Sequence, residues 1–330
     1  MTPTLAFLLD VPDIAAWRAG NTGVDGVWTF DSGRPGRHAL ITALVHGNEL
    51  CGAWALKRLL EAGVRPTHGR LTLAFCNLDA FDRFDPARPD AARFVDEDMN
   101  RQWSPERLAD PCSRERRRAA ALAPFVEAAD WLLDLHSMHE PGLPLALTGM
   151  AARNVDLARA MKSPATIVVD AGHGDGVRMR DYGRFAPASG VAGARALLVE
   201  CGFHGDPHAR AVAQDQCARF LELAGVVDTG PAPLASWRLP DAERQTVLQV
   251  TDAVVARSAD FRFAAPYVGL QVIPRRGTVI GHDGTDVTTP YDDCVLVMPS
   301  TRQARAGVTV VRLARIVPAS ADAQCPCTVL

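Results

Sequence analysis

The sequence predicts an α/β fold: a mixed, mostly parallel sheet with helices on both faces, followed by a small all-β C-terminal domain. Three observations carry this. Near-continuous apolar runs of strand length recur at 39–45, 131–135 and 195–199, as expected of strands buried on both faces in a parallel sheet. Helix-like stretches alternate with these runs, the mark of strand–helix–strand units. Beyond a stretch rich in Pro, Ala and Gly at 228–240, the pattern changes to short strands separated by turns. The expected division is a larger α/β domain over 1–230, which carries the chemistry-bearing residues described below, and a β-rich domain over 231–330.

Taken in order, residues 26–30 read as an edge strand and 31–36 as a turn cluster. Ala39 to Val45 is the central strand, and it stops abruptly at His46-Gly47-Asn48-Glu49. Leu50 to Ala62, rich in Ala and Leu, then reads as a helix with Gly63 at its C-cap. One imidazole and one carboxylate therefore stand at the carboxyl end of a strand, where ligands bind in open α/β sheets. Gly47 permits a tight turn, so His46 and Glu49 can face one cation. Arg70 to Cys76 alternates as a second strand. Residues 79–111, dense in Asp, Arg and Pro with little periodicity, read as a long functional loop carrying Arg93, Asn100 and Arg101. Ser113 to Ala129 reads as a helix capped by Ser113, with Glu115 in its first turn. Its Arg114–Arg118 run reads as a solvated helix face, because no aromatic or second basic cluster accompanies it.

Trp131 to Leu135 is a buried strand ending in His136. A strand, a turn and a helix follow over 145–161, a further strand over 165–171, and a Gly- and Arg-rich loop over 172–193. Arg195 to Val199 is the next buried strand, ending in Glu200, and a helix over 208–224 closes the first domain. Short strands are expected at 247–251, 252–257, 269–273, 278–281, 294–298 and 308–317.

With 330 residues, 48% hydrophobic and 22% charged, the composition is that of a globular chain with room for a sizeable core. A net charge of −3 argues against a protein built to bind nucleic acid. No signal peptide and no bilayer-spanning apolar run is read, so a cytoplasmic location without membrane association is expected. The 8 Cys are scattered, which suits reduced thiols better than a disulfide framework. Cys325 and Cys327 form the one close pair, in a tail to which no role is assigned.

The chemistry-bearing residues form a complete set. Two imidazoles and one carboxylate, as His46, His136 and Glu49 could supply, are the ligand set of a catalytic zinc that keeps a position for water. Glu200, not needed as a ligand, can take the water's proton and hand it on. Arg101 beside Asn100 can fork onto a substrate carboxylate, and Arg93 can hold the reacting carbonyl.

His46-Gly47-Asn48-Glu49, the spacing of Arg93 to Asn100-Arg101, Asp134-Leu135-His136 and Val199-Glu200-Cys201-Gly202 resemble the aspartoacylase/succinylglutamate desuccinylase family. That family is a branch of the zinc carboxypeptidase-like hydrolases. The resemblance covers almost the whole chain and implies one zinc ion per chain on His46, Glu49 and His136. It implies Glu200 as general base and acid, Asn100 and Arg101 as the carboxylate clamp, and Arg93 as carbonyl polariser. A Tyr and an Arg of the family's loop before the Glu-bearing strand have candidates in Tyr182 and in Arg178, Arg180 and Arg184. A Tyr of the family's C-terminal domain has Tyr291, with Tyr267 as rival. His139 and His204 are read as pocket residues or as plain structural ones.

The implied activity is hydrolysis of the amide of a small N-acyl amino acid, a substrate carrying a carboxylate. The family also implies a possible homo-oligomer. A metallocarboxypeptidase acting on peptides or cell-wall fragments is the rival enzyme, and an inactive binding protein of the same fold the rival from another class.

Overall fold

The computed structural model describes residues 6–172, 174–228, 230 and 233–318. The expectation for Cys325 and Cys327 lies outside them. In chain order the strands are β1 (Val27–Asp31), β2 (His38–Ala43), β3 (Arg70–Phe75), β4 (Trp131–Met138), β5 (Leu145–Leu147), β6 (Thr166–Val169) and β7 (Arg195–Phe203). The C-terminal part adds β8 (Thr246–Val255), β9 (Arg262–Phe263), β10 (Gln271–Ile273), β11 (Val279–His282), β12 (Asp286–Thr288), β13 (Cys294–Val297) and β14 (Thr309–Ile316). The helices are α1 (Leu50–Glu61), α2 (Leu78–Phe81), α3 (Pro105–Ala109), α4 (Arg114–Ala128), α5 (Ala152–Met161), α6 (Pro207–Ala224) and α7 (Leu234–Trp237).

An 11-stranded sheet runs β1-β3-β2-β4-β7-β5-β6-β8-β14-β13-β10. Its centre, β3-β2-β4-β7, is parallel throughout. Period-two alternation sends Ile41, Leu133 and Leu197 to one face, where α1, α5 and α6 cover them. Leu40, Leu132 and Ala196 point to the other face, under Ala119, Leu122 and Val126 of α4. Helices on both faces explain why these strands read as unbroken apolar runs.

The C-terminal part is the small β region expected, mostly antiparallel, and it continues the main sheet: β8 pairs in parallel with β6 and antiparallel with β14. Among the described residues only β12-β11-β9 stand apart, as a 3-stranded sheet. Val295, Val297 and Ala314 pack on Met138, Leu147 and Leu198 of the α/β sheet, so burial of this shared apolar layer ties the two parts together. The 79–111 segment, expected as one long loop, is more regular than that. It is a chain of single helical turns (Leu78–Phe81, Pro89–Ala92, Met99–Arg101, Pro105–Ala109), too short for periodicity to reveal. None of the helices described is long and apolar enough to cross a membrane.

Candidate active site

Parallel order places the carboxyl ends of β2, β4 and β7 side by side. Strand β2 closes at Ala43, and Leu44 takes a left-handed backbone with φ of 58°. The bend carries His46 to Glu49 across the sheet edge before α1 begins. Gly47 is fixed by space: a Cβ there would come 2.4 Å from backbone atoms of Ala80 and Phe81. Its N–H donates to the Arg93 carbonyl at 3.1 Å, docking the His46 turn on the Arg93 loop. On β4, alternation gives Asp134 and His136 one face, and the register sets His136 directly beside Glu200 of β7.

Glu49 joins the two imidazoles. Its Oε1 lies 2.8 Å from His46 Nδ1 and its Oε2 2.8 Å from His136 Nδ1. The far nitrogens are held by carboxylates, His46 Nε2 by Asp98 and His136 Nε2 by Asp134, both at 2.9 Å. Both Nδ1 atoms are thereby aimed at one point beside Glu49. The ligand atoms of His46, Glu49 and His136 all lie within 4.8 Å of one another, and the three residues are buried.

The electrostatics point the same way. Burial alone would raise the Glu49 pKa, but His46 and His136 outweigh it and hold the carboxyl well below the usual range. Burial would lower His136, yet Asp134 and Glu49 overcome that and hold it well above an ordinary imidazole. A buried cluster with this surplus of carboxylates favours a positive charge beside Glu49. The His-Glu-His group could hold a metal ion. Two imidazoles and a carboxylate, each imidazole backed by a further carboxylate, are the donor set and outer support of a catalytic zinc.

Glu200 faces the same space. Burial, and then the Glu49 charge, push it up to about 8. Its Oε2 has no hydrogen-bond partner among the described residues. The Arg93 guanidinium donates to Glu49 Oε1 at 3.4 Å, to Asp98 Oδ2 at 3.2 Å and to His139 Nε2 at 3.4 Å. Arg101 is steadied by Asp175 at 3.0 Å. Asn100 accepts the Met179 N–H on its side-chain oxygen at 3.1 Å, leaving its NH2 end as the donor side. His46, Glu49, Arg93, Asn100, Arg101, His136 and Glu200 line one cavity of about 190 Å³. Its far wall comes from the C-terminal part, including Met298, Arg305 and Val308.

The tyrosines do not join them. Tyr182 places its hydroxyl on Glu127 and its ring 5.8 Å from that of Trp103, away from the cavity. Tyr291 bonds Thr251 Oγ1 at 2.6 Å inside the C-terminal apolar cluster, with Arg315 over its ring. Tyr267 sits in that cluster too. Of the three loop arginines only Arg178 lines the cavity. Arg180 is fully buried and Arg184 lies against Asp130 at 3.3 Å.

Sequence reasoning passed over several residues. Asp98 was hidden among Asp96, Glu97 and Asp98, and only Asn100 two positions on marks it. Arg312 had a clearer signal, a lone charge within Val310-Val311-Arg312-Leu313-Ala314. It lines the cavity with Arg178, and both lie beside Asp170, at 3.0 Å and 3.1 Å.

Residues 35–220 match the family model of the succinylglutamate desuccinylase/aspartoacylase catalytic domain. The succinylglutamate desuccinylase of Burkholderia cenocepacia is 28% identical over 305 residues, 84% of this chain and 82% of the relative. That of Paraburkholderia xenovorans is 34% identical over only 114 residues, so the chain spans 31% of that relative. A succinylglutamate desuccinylase/aspartoacylase structure from Rhodobacter sphaeroides shares the fold, with a TM-score of 0.60 at 20% identity over 86% of this chain and 87% of the other. The ectoine utilization protein EutE (DoeB) of Ruegeria pomeroyi gives 0.61 at 17% identity over 93% and 92%.

Proposed function

The chain belongs to the succinylglutamate desuccinylase/aspartoacylase family of hydrolases, and from that premise we propose that it cleaves the amide bond of a small N-acyl amino acid. The reaction depends on one zinc ion per chain, held by His46, Glu49 and His136. The observation that carries this reading is the pairing of His136 and Glu200 on adjacent strands, with the unpartnered Glu200 Oε2 in the cavity of the His-Glu-His group.

When bound, zinc supplies Lewis acidity, acidifying water and polarising an acyl carbonyl. The chain supplies the rest. The Asn100 NH2 and the Arg101 guanidinium take the substrate's carboxylate, fixing which carbonyl faces Glu200. Glu200 accepts a proton from the attacking water and returns it to the leaving amine nitrogen, without which the C–N bond cannot break to a neutral amine. Arg93 donates to the oxygen that becomes negative as the carbonyl carbon turns tetrahedral. Loss of one such donor commonly costs about 3–4 kcal/mol.

The cavity of about 190 Å³, walled by Met298 to Thr309, favours a small substrate over a peptide. Buried free thiols such as Cys51, Cys76 and Cys201 support a cytoplasmic location. The test is a hydrolysis panel of N-acetyl-, N-succinyl- and longer N-acyl amino acids, with C-terminal peptides alongside, in added zinc. Turnover of small N-acyl amino acids is expected. Turnover of peptides alone, or no hydrolysis by zinc-loaded protein, would refute the proposal.

A further inference from the structure

We propose that His139, held by Asp90, is a positioning residue that aims the Arg93 guanidinium without adding a further negative charge to it. This rests on the role given to Arg93 above.

The three groups come from separate places: Asp90 from the turn Pro89–Ala92, Arg93 just after it, and His139 from the loop that follows β4. His139 Nε2 lies 3.4 Å from Arg93 Nη1, and its Nδ1 lies 3.1 Å from Asp90 Oδ1. A guanidinium only donates, so Nε2 must be the acceptor. The one proton of the neutral ring then sits on Nδ1, directed to Asp90 Oδ1 at 3.1 Å with His204 Nε2 as a second, longer partner at 3.3 Å. The environment favours that neutral form, since burial and the Arg93 charge both lower the His139 pKa, Asp90 opposing them. His204 completes the packing. Its ring meets that of His139 edge-on, 4.8 Å between centroids, and Ser137 Oγ holds its Nδ1 at 2.8 Å.

The other partners of Arg93 are the carboxylates Glu49 and Asp98. Each of them orients the guanidinium but also offsets its charge. A third carboxylate would leave Arg93 little net field for a developing oxyanion. A neutral acceptor fixes the direction of the N–H without that loss, which is what electrostatic stabilisation of an oxyanion requires.

Asp90, His139 and His204 also have the side chains of a divalent-ion site, with their ligand atoms within 4.8 Å of one another. A cation there would occupy the Nδ1 lone pair of His139 and move its proton to Nε2. That proton would then face an Arg93 N–H across 3.4 Å, two donors with no acceptor. The hydrogen-bond chain and a second ion are therefore exclusive, and the geometry favours the chain.

The test uses zinc-loaded protein and the N-acyl amino acid turned over fastest in the panel. His139→Ala should lower kcat about 10–100-fold, the range for outer-shell partners of a site, with KM changed far less. His139→Gln, whose Oε1 reaches where Nε2 stood, should restore much of kcat. His139→Asn, too short to reach, should not. A kcat unchanged in His139→Ala, while Arg93→Ala is impaired, would overturn the proposal and leave the hydrolase reading standing. Nitrogen NMR of the His139 ring gives a readout independent of turnover. Protonated Nδ1 and bare Nε2 are expected, with the pattern lost in Arg93→Ala. A protonated Nε2, or a second zinc per chain that disappears in His204→Ala, would overturn the proposal even if no substrate were found.

Discussion

Glu115 offers the sharpest perturbation of the fold behind the site. It belongs to the first turn of α4, yet its side chain is fully buried and turned into the loop that carries Arg93 and Asn100. Oε1 accepts from the Val95 N–H at 2.6 Å and from Asn77 Nδ2 at 3.0 Å. Oε2 accepts from the Asp96 N–H at 3.0 Å and the Glu97 N–H at 3.3 Å. One carboxylate thus gathers three consecutive backbone donors between Arg93 and Asp98. In Glu115→Gln one oxygen becomes an NH2, so two of the four donors lose their acceptor whichever way the amide turns. An unsatisfied buried donor costs about 1–3 kcal/mol, and because the three backbone donors are only partly buried the two lost bonds should together cost about 1–3 kcal/mol. That is a measurable share of the ~5–15 kcal/mol that holds a domain together. Urea denaturation at neutral pH measures it. The loop also presents Arg93, so kcat should fall with zinc still bound. A loss below about 0.5 kcal/mol, within the scatter of ordinary surface changes, would refute the claim that this carboxylate organises the loop.

Further outcomes follow from the site's neighbours. Glu200→Gln should retain zinc and lose about 10²–10⁴-fold in turnover, the usual contribution of a general acid–base; retained turnover with metal confirmed would remove Glu200 from the mechanism. Asp134→Asn should weaken zinc affinity about 10–100-fold by freeing the His136 ring, measured by competition with a chelator. Asp170 is the acid-sensitive joint between the two parts of the sheet. Burial raises its pKa, but Arg312 and Arg178 outweigh burial and hold it below the usual carboxylate range. A carboxyl depressed in the folded state stabilises above its unfolded pKa of about 4 and loses that contribution as pH falls further. Denaturation midpoints should therefore drop below pH ~4, and Asp170→Asn should remove this share of the pH dependence. The same variant should cost about 3–5 kcal/mol at pH 7, because it leaves two buried arginines without their carboxylate.

Much of this architecture was legible because it depends on local pattern. Helix α1 runs from Leu50 to Glu61, with Ala62 as its C-cap and Gly63 following at φ of 63°, close to where the Ala- and Leu-rich run followed by glycine placed its end. Ser113 caps α4 by accepting the Arg116 N–H at 3.1 Å. His46, Glu49, His136 and Glu200 stand where three apolar runs end, so parallel pairing brings them together without further information. Reach and direction of side chains were not legible. Tyr182 and Tyr291 lie in plausible segments, but packing turns one onto Glu127 and the other onto Thr251. Glu115 looks like a solvated first-turn acid until the 93–101 loop folds over it. Arg312 reaches the cavity only because β14 joins the main sheet through β8, a pairing that no local pattern encodes.

A crystal structure of the zinc-loaded protein with anomalous data at the zinc edge tests the His46–Glu49–His136 metal site most directly. One peak per chain is predicted, bounded by Nδ1 of His46, Nδ1 of His136 and the Glu49 carboxylate, with Glu200 unliganded beside it. A peak among Asp90, His139 and His204 instead, or zinc bound through Glu200 in place of Glu49, would contradict it.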